Sequence, residues 1–441
     1  MYTLENARPL AAIVLIVLIA WLFSENKRRF PLLLTLGAIV VQVAFVLLLF
    51  AMPNSQAALE GVNAAVNGLA SASDKGAQFV FGYLSSSDAT QYPAAGADPD
   101  RLFIFGFRVL PLILVISALS ALLWHWGILK WITRGFGLLF EKTMQLGGAS
   151  ALAAAVNIFV GMVESPIVIR AYLDKLTRAE LFLMMVVGLA TVAGSTMVAY
   201  AVILQPVLPN AAGHVLVASI ISAPAGILLA RIMIPEEGPR THYDYASDLK
   251  YESSMDAVTT GVRDGVMVAV NVASFLIVFV AFVWIANGLL PLIAAPLADL
   301  LNPVLPAHLD IDPSRATLQA IFGHIFAPIA WLIGVPWGEA QAAGGVLGVK
   351  LFLTEFLAFF DLRDVPAEAL GERGRMIMTY AICGFANVAS VGIMTGGMTA
   401  LMPERRREIL SLAWKALLPG FMATLMTASV VAALPMGLVR P

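Results

Sequence analysis

The chain has 441 residues, of which 59% are hydrophobic and 13% charged, and its mean hydropathy is +0.85. A soluble domain of this length could not bury so large an apolar fraction, so the composition places the chain in a lipid bilayer. The formal net charge of -2 gives no reason to expect nucleic acid as a partner. The single cysteine, Cys383, excludes an internal disulfide framework and a cysteine-based metal site.

Eight segments are read as transmembrane helices from their long apolar runs. In chain order they are 9–23, 31–52, 102–126, 180–204, 213–234, 264–292, 376–402 and 409–438. No small-residue cleavage site follows the first one, so we expect it to be retained and not removed as a signal peptide. Segment 54–100 is too polar to span and predicts an interfacial helix followed by a loop. Segment 235–258 predicts a cytoplasmic connection.

Basic residues orient these helices, because Lys and Arg near helix ends accumulate on the cytoplasmic side. If the N-terminus lies outside, the basic linkers all fall on one side: Lys27 to Arg29, Lys130 to Lys142, Arg170 to Arg178, Arg231 to Arg263 and Arg405 to Arg407. We therefore expect both termini to be periplasmic. Three tryptophans near one cytoplasmic helix end, Trp124, Trp126 and Trp131, predict an aromatic belt at the membrane interface.

Two regions of intermediate hydrophobicity predict re-entrant hairpins that enter the membrane part-way. The first, 147–176, is apolar except for a break between Gly161 and Pro166 that carries Glu164. The second, 338–362, runs through a glycine-rich stretch to a single glutamate, Glu355. Glycine and proline interrupt helices, so each region predicts two short helices with a carboxylate at the turn between them.

A short phrase recurs after each predicted hairpin. The first copy, Gly188-Leu-Ala-Thr-Val-Ala193, matches Gly384-Phe-Ala-Asn-Val-Ala389. By the charge rule the first hairpin enters from the cytoplasm and the second from the periplasm, so the two repeats are inverted. Inverted repeats with interrupted helices are typical of secondary transporters, whose substrate and ion sites lie where the repeats meet.

The two tip glutamates predict the position of that site. A carboxylate deep in a bilayer is unfavourable by several kcal/mol unless it is paired or faces water, so it marks a substrate or ion pathway by default. The alternative is structural: Glu164 pairs with Arg170, or Glu355 with Lys350, as a packing bridge.

Several separated motifs resemble those of the bacterial concentrative nucleoside transporter family, and the match runs over essentially the whole chain. They are "FRVLP" from Phe107, "NIFVG" from Asn157, "IGVPW" from Ile333, "EF" at Glu355 and "CGFAN" from Cys383, leading to "PERR" from Pro403. The resemblance implies a homotrimer in the bacterial inner membrane. Each protomer would have a scaffold part and a mobile transport part, and a sodium or proton gradient would drive nucleoside uptake by an elevator-like motion.

The expected fold is an all-α polytopic membrane protein with about eight transmembrane helices and two opposed re-entrant hairpins. Residues 1–126 would form scaffold helices with an interfacial helix, and 127–234 the first repeat of the transport part. Residues 235–316 would hold a cytoplasmic loop, a long scaffold helix and a periplasmic loop. The second repeat would occupy 317–441.

Residue by residue, the resemblance implies ribose-binding roles for Glu355, Asn387 and Ser390, and places Phe385 against the substrate. A carboxylate can accept hydrogen bonds from sugar hydroxyls, while an amide and a hydroxyl can both donate and accept. It also implies sodium ligation by the side chains of Asn157 and Thr191 and the carbonyls of Val160 and Val192. For Phe385 a core position is the alternative, and for Thr191 a hydroxyl bonded to its own helix.

One departure from the family pattern affects the nucleobase. The Gln and Thr of the family's "GQTE" tip are here Met162 and Val163, which leaves only Glu164 of that polar trio, and the residue before Glu355 is Thr354 where the family has Asn. Methionine is an adaptable apolar side chain. We therefore expect a transporter that requires a ribose but reads the base loosely, favouring purines through contacts with Met162, Val163 and Thr196.

Two other functions stay open from the sequence. The chain could be a proton-coupled symporter of nucleosides or nucleobases, or a transporter-related membrane sensor that no longer moves its ligand. An enzyme is not expected, because no Ser/His/Asp set, HExxH motif or paired aspartates occur within the predicted helices. No cofactor is expected beyond the coupling ion.

Overall fold

A computed structural model describes residues 4–50, 55–85, 104–239, 241, 249–302 and 312–434. Throughout this part of the chain the secondary structure is helical, as predicted, and no strand occurs in it. The helices of the first half are α1 (Leu4–Leu22), α2 (Leu32–Phe50), α3 (Ser55–Phe81), α4 (Phe105–His125), α5 (Ile128–Met144), α6 (Gly148–Asn157), α7 (Ser165–Val168), α8 (Arg178–Ala190), α9 (Gly194–Leu204) and α10 (Ala211–Met233).

The second half has the same mixture of long and interrupted helices. They are α11 (Ser254–Leu301), α12 (Leu318–Leu332), α13 (Trp337–Phe352), α14 (Glu355–Asp364), α15 (Glu372–Ile382), α16 (Val388–Leu401) and α17 (Arg406–Ala433). The loop expected after α3 and the periplasmic loop expected after α11 lie largely outside the described residues.

Five helical segments in the described ranges are long and apolar enough to cross a membrane: 105–125, 178–204, 211–233, 254–300 and 403–433. The pair α12 and α13, bent by 118°, would make a sixth if it is one broken span. Helices α1 and α2 contain shorter apolar stretches, 7–22 and 32–48. The predicted span 376–402 is divided between α15 and α16. The count of eight spans stays a prediction.

Burial separates the apolar helices into two groups. The α8–α9 segment, α10 and α17 are covered on nearly all sides, whereas α11 is covered almost nowhere. A helix that is hydrophobic all round is either a core helix or faces lipid or another subunit. The chain thus has a buried bundle around α8, α10 and α17, with α4 and α11 packed together beside it.

Glycines allow α12 and α13 to approach closely. A Cβ added to Gly344 would lie 2.6 Å from the carbonyl oxygen of Gly323, and one added to Gly348 would lie 2.2 Å from Phe322 Cβ. Small residues at such positions let helix backbones pack against each other. The chain then reverses at Gly334, whose φ of +119° suits glycine.

The tryptophan prediction is wrong for one of its three residues. Trp124 is 2% exposed and donates a hydrogen bond from Nε1 to the carbonyl oxygen of Leu249 at 3.1 Å. Trp126 and Trp131 are exposed, as an interfacial belt requires. Trp124 therefore anchors the end of α4 to the segment that precedes α11.

Candidate functional site

Gly161 forms the break between α6 and α7. Its φ of +121° lies in a region that other residues disfavour, and Pro166 falls in the first turn of α7. The carboxylate of Glu164 folds back over this glycine, because a Cβ added to Gly161 would lie 2.8 Å from Glu164 Oε2. The break thus carries one acidic side chain whose position depends on the missing Cβ.

Thr354 forms the corresponding break before α14. Its backbone is extended, and its Oγ1 accepts a hydrogen bond from Leu357 N at 3.3 Å, which caps the helix. Glu355 is the first residue of α14. A carboxylate at a helix N-terminus is favoured by the unpaired backbone N–H groups there.

The two recurring phrases form two further helix breaks, and these contact each other. The first lies between α8 and α9 at Thr191, and the second lies between α15 and α16 at Phe385. Phe385 N donates to Thr191 O at 3.3 Å, and a Cβ added to Gly384 would lie 2.8 Å from Ala190 O. The repeats therefore meet at their interruptions.

A cavity of about 120 Å³ lies between the breaks and α11. The break before α7, the start of α9, the tip of α14 and the start of α16 form one wall, while apolar side chains of α11 and Asn271 form the other. The structure places all eight residues proposed from the sequence as substrate ligands on this cavity: Met162, Val163, Glu164, Thr196, Glu355, Phe385, Asn387 and Ser390. Their individual roles stay predictions.

Glu355 is held by two hydrogen bonds. Tyr200 OH donates to its Oε1 at 2.7 Å and Asn387 Nδ2 to its Oε2 at 2.5 Å, with all three side chains buried. Tyr200 is in turn stacked on Phe359 at 4.3 Å between ring centroids. A carboxylate has about four lone-pair positions, so this arrangement fixes Glu355 and leaves acceptor capacity for a ligand.

Neither tip glutamate forms an ion pair with the basic residue that a packing bridge would require. The ammonium of Lys350 is fully buried, donates to Thr424 Oγ1 at 2.9 Å and lies 4.7 Å from the centroid of the Phe421 ring. In the described part of the chain no salt bridge joins Glu355 to Lys350 or Glu164 to Arg170. Lys350 therefore acts on Glu355 only at longer range. A buried carboxylate without a direct ion pair among the described residues suits a residue that meets a polar ligand.

The four residues proposed as sodium ligands lie around the end of α6 and the first repeat's other break. Thr191 Oγ1 is 2.8 Å from Val187 O and 3.2 Å from Asn157 O. Its hydroxyl proton is therefore donated to a backbone carbonyl, and its oxygen lone pairs remain available to a ligand. Asn157 Oδ1 accepts from Ser165 Oγ at 3.0 Å, while its buried Nδ2 has no hydrogen-bond partner among the residues that the structure describes. Hard cations prefer oxygen ligands of this kind, so the oxygen atoms present are compatible with sodium, whose binding here stays a prediction.

The sequence did not single out Tyr200 or Ser219 for the site. Ser219 Oγ lies 3.3 Å from Ile158 O and 3.4 Å from Val192 O, and so ties α10 to both breaks of the first repeat. Each is a polar residue in an otherwise apolar predicted helix, which is the one signal available. Polar residues are too common in membrane helices for this signal to identify Tyr200 and Ser219 as site residues.

A second cavity of about 80 Å³ adjoins the first, and Glu164 and Ser195 line both. Asp264 and Tyr251 line its other side. Burial raises the pKa of Tyr251 to about 12, and the nearby Asp264 carboxylate acts in the same direction, so this phenol stays protonated at physiological pH. Polar side chains therefore lie on both sides of Glu164, in the main cavity and in the second one.

Helix breaks from two parts of the chain that meet at a cavity inside an apolar bundle are typical of secondary membrane transporters. The chain matches three family models: "Na+ dependent nucleoside transporter N-terminus" over residues 11–84, "Nucleoside recognition" over 106–207 and "Na+ dependent nucleoside transporter C-terminus" over 214–432. It belongs to the concentrative nucleoside transporter family, as the sequence motifs indicated, and is not an enzyme.

The bacterial relatives match over nearly their whole length. An uncharacterised transporter of Haemophilus influenzae is 34% identical, with 95% of each chain covered. The nucleoside permease NupC of Helicobacter pylori is 32% identical, with 94% of each covered. The solved structure of CNTnw in an inward-facing substrate-bound state is 31% identical, with a TM-score of 0.86 and 98% of each chain covered.

Proposed function

We propose that this chain is a sodium-coupled importer of nucleosides in the bacterial inner membrane. The observation that supports it most is the meeting of Glu164 and Glu355, which come from different repeats, on one cavity. Glu355 would accept hydrogen bonds from the ribose hydroxyls, with Asn387 and Ser390 beside it, while Phe385 would pack against the substrate. A site built on buried polar groups rejects a deoxy analogue because those groups would be left unpaired.

Sodium would bind between α6 and the break after α8, through Asn157, Val160, Thr191 and Val192. This position is adjacent to the substrate cavity, because the segment Gly161 to Glu164 follows Val160 directly and lines that cavity. A bound cation would fix the break that presents Glu164. The coupling then follows from geometry: the ion orders one half of the substrate site, so each ligand favours binding of the other.

The base would be read loosely. Met162 and Val163 present apolar side chains to the cavity, and the hydroxyl of Thr196 donates to Ala193 O at 2.9 Å. None of the three offers a free donor that would distinguish one base from another. We expect purine and pyrimidine ribonucleosides both to be accepted, with purines favoured by their larger apolar surface.

The proposed motion is elevator-like, with three protomers as the family resemblance implies. The α11 wall of the cavity consists of Val268, Val272, Phe275 and Leu276 apart from Asn271. An apolar wall makes few hydrogen bonds that a sliding transport part would have to break. Helices α4 and α11 would form the fixed scaffold.

Uptake into proteoliposomes under an inward sodium gradient tests this function. Wild type should accumulate adenosine and uridine and discriminate against their 2′- and 3′-deoxy forms. The Glu355→Gln variant should lose uptake by at least about 100-fold, because an ionised acceptor in a buried site is replaced by a weaker one. The exposed Glu368 provides the matched control, Glu368→Gln, which should behave as wild type.

The coupling ion is tested by the Thr191→Val and Thr191→Ser pair. The valine has nearly the same shape but no hydroxyl, and should raise the sodium concentration for half-maximal uptake by about ten-fold, or about 1.4 kcal/mol. The serine should leave it near the wild-type value. Uptake driven by a proton gradient alone would favour the proton-coupled symporter, and nucleoside binding without uptake would favour the sensor.

A further inference from the structure

Helix α5 carries a basic stripe and an apolar stripe side by side. Lys130 and Arg134 are one turn apart, and Trp131, Gly135 and Leu138 follow the same spacing on the neighbouring face. Trp126, Ile128 and Trp131 are exposed around the start of this helix. Such a helix lies in the membrane interface, with its apolar side among acyl chains and its basic side among headgroups.

The two stripes border two depressions that share Trp131 and Arg134. One, of about 350 Å³, is basic: Lys130, Arg134 and Lys250 line it together with Trp124, Thr133 and Leu152, and no acidic side chain occurs among its described lining residues. The other, of about 590 Å³, is an apolar groove between α2 and α5, lined by Phe45, Phe136 and Leu139 among others. A charged compartment thus lies next to an apolar one, with Trp131 and Arg134 bordering both.

We infer that these paired depressions bind one anionic phospholipid, with its phosphate at Lys130, Arg134 and Lys250 and an acyl chain along the groove between α2 and α5. The charge of the first compartment selects an anionic headgroup, and basic pockets between membrane helices on the cytoplasmic side are suited to such lipids. The basic linkers place α5 on that side.

The position of this site in the fold indicates how a bound lipid would affect the protein. Trp124 ends α4, Lys250 precedes α11 and Leu152 belongs to α6, so the basic compartment joins the proposed scaffold to the first hairpin. Helices α5 and α6 are packed closely, because a Cβ added to Gly137 would lie 3.4 Å from Leu152 Cα. A headgroup bound here would therefore also stabilise the contact between the two parts.

Gly135 offers a substitution that fills the groove without disturbing the fold. A Cβ added there meets nothing within 4 Å, so Gly135→Leu should occupy the space of the acyl chain. Lys130→Gln and Lys250→Gln remove headgroup charges. Lys142→Gln is the matched control, because this exposed lysine of the same helix lines neither depression.

The full-length protein in neutral detergent is mixed with phosphatidylglycerol or with phosphatidylcholine of the same chains, and retained lipid is counted by native mass spectrometry alongside the thermal midpoint. Wild type should retain phosphatidylglycerol preferentially and gain stability from it. Each lysine substitution should weaken retention by about five-fold, Gly135→Leu should also weaken it, and Lys142→Gln should not.

Three outcomes would overturn the site. Equal retention of the two lipids would show that the basic compartment does not select charge. Full retention by both Gly135→Leu and a variant that combines Lys130→Gln with Lys250→Gln would place the lipid elsewhere. Equal stabilisation by soluble glycerol phosphate would show an anion site without a lipid. Thermal midpoints of the lipid-free variants report whether each one is folded.

Discussion

Asn387 has two structural tasks at once. Its Oδ1 accepts from Ser390 N at 2.8 Å and caps α16, while its Nδ2 donates to Glu355. The two bonds fix which way the amide points. An N-cap contributes about 1 kcal/mol, and a hydrogen bond to a charged group about 1.5–3 kcal/mol. Because the two bonds use different atoms of the amide, a substitution that keeps only the capping oxygen removes the second contribution alone.

Asn387→Ser and Asn387→Asp both keep a capping oxygen, so both should fold. The serine removes the donor to Glu355 and should weaken nucleoside binding by about 10- to 100-fold. The aspartate also places a second carboxylate beside Glu355 and should weaken binding further, because adjacent like charges in a buried site are strongly unfavourable. Calorimetric titration with adenosine measures both. An aspartate variant that binds as well as the serine variant would contradict an ionised Glu355.

The sequence identified residues whose chemistry is unusual for their surroundings. Glu164 and Glu355 stood out because a charge in an apolar segment needs a reason. Tyr200 did not, since a tyrosine in a membrane helix is ordinary, and only the fold brings its hydroxyl to within 2.7 Å of a carboxylate on another repeat. Contacts between residues this far apart in the chain depend on packing, which a local pattern does not contain.

At the scale of elements, two of the four helix breaks around the cavity were predicted from the sequence and two were not. The expected break between Gly161 and Pro166 is present, and so is the break before Glu355. The predicted span 376–402 is itself interrupted between α15 and α16. Its apolar composition hid that break, because Cys383 to Asn387 contains no proline. The predicted span 180–204 is interrupted in the same way, between α8 and α9, so neither break that carries the repeated phrase was predicted.

Gly161→Ala tests whether the first break positions its glutamate. At a φ of +121° an alanine is strained by about 1–3 kcal/mol, and its Cβ would also meet Glu164 Oε2 at 2.8 Å and Ala193 Cβ at 3.0 Å. We expect a lower thermal midpoint and a loss of nucleoside uptake. Gly392→Ala in α16 is the control, because a Cβ there meets nothing within 4 Å and alanine favours a helix. Unchanged uptake in Gly161→Ala would show that this break does not set the position of Glu164.

At the scale of the whole molecule, the proposed mechanism requires the two repeats to be inverted in the membrane. The fold shows that the repeats meet at their breaks, and the family membership is established. The direction from which each hairpin enters rests on the distribution of Lys and Arg in the linkers. That distribution reflects a statistical bias in membrane insertion and carries no information about packing. The face from which each hairpin enters therefore has to be measured separately.

Two cysteine substitutions in a Cys383→Ala background test this inversion, with Cys383 removed because it is the one native thiol. Asp174 lies in the turn that closes the first hairpin, and Glu368 in the turn that closes the second; both are exposed acids. In intact cells a membrane-impermeant maleimide should label Glu368→Cys and not Asp174→Cys, because only the former faces the periplasm. Permeabilised cells should show labelling of both, which controls for reactivity. Labelling of both in intact cells would contradict opposed entry and with it the midplane site. Labelling of Asp174→Cys alone would keep the entry opposed but reverse the orientation predicted from the basic linkers.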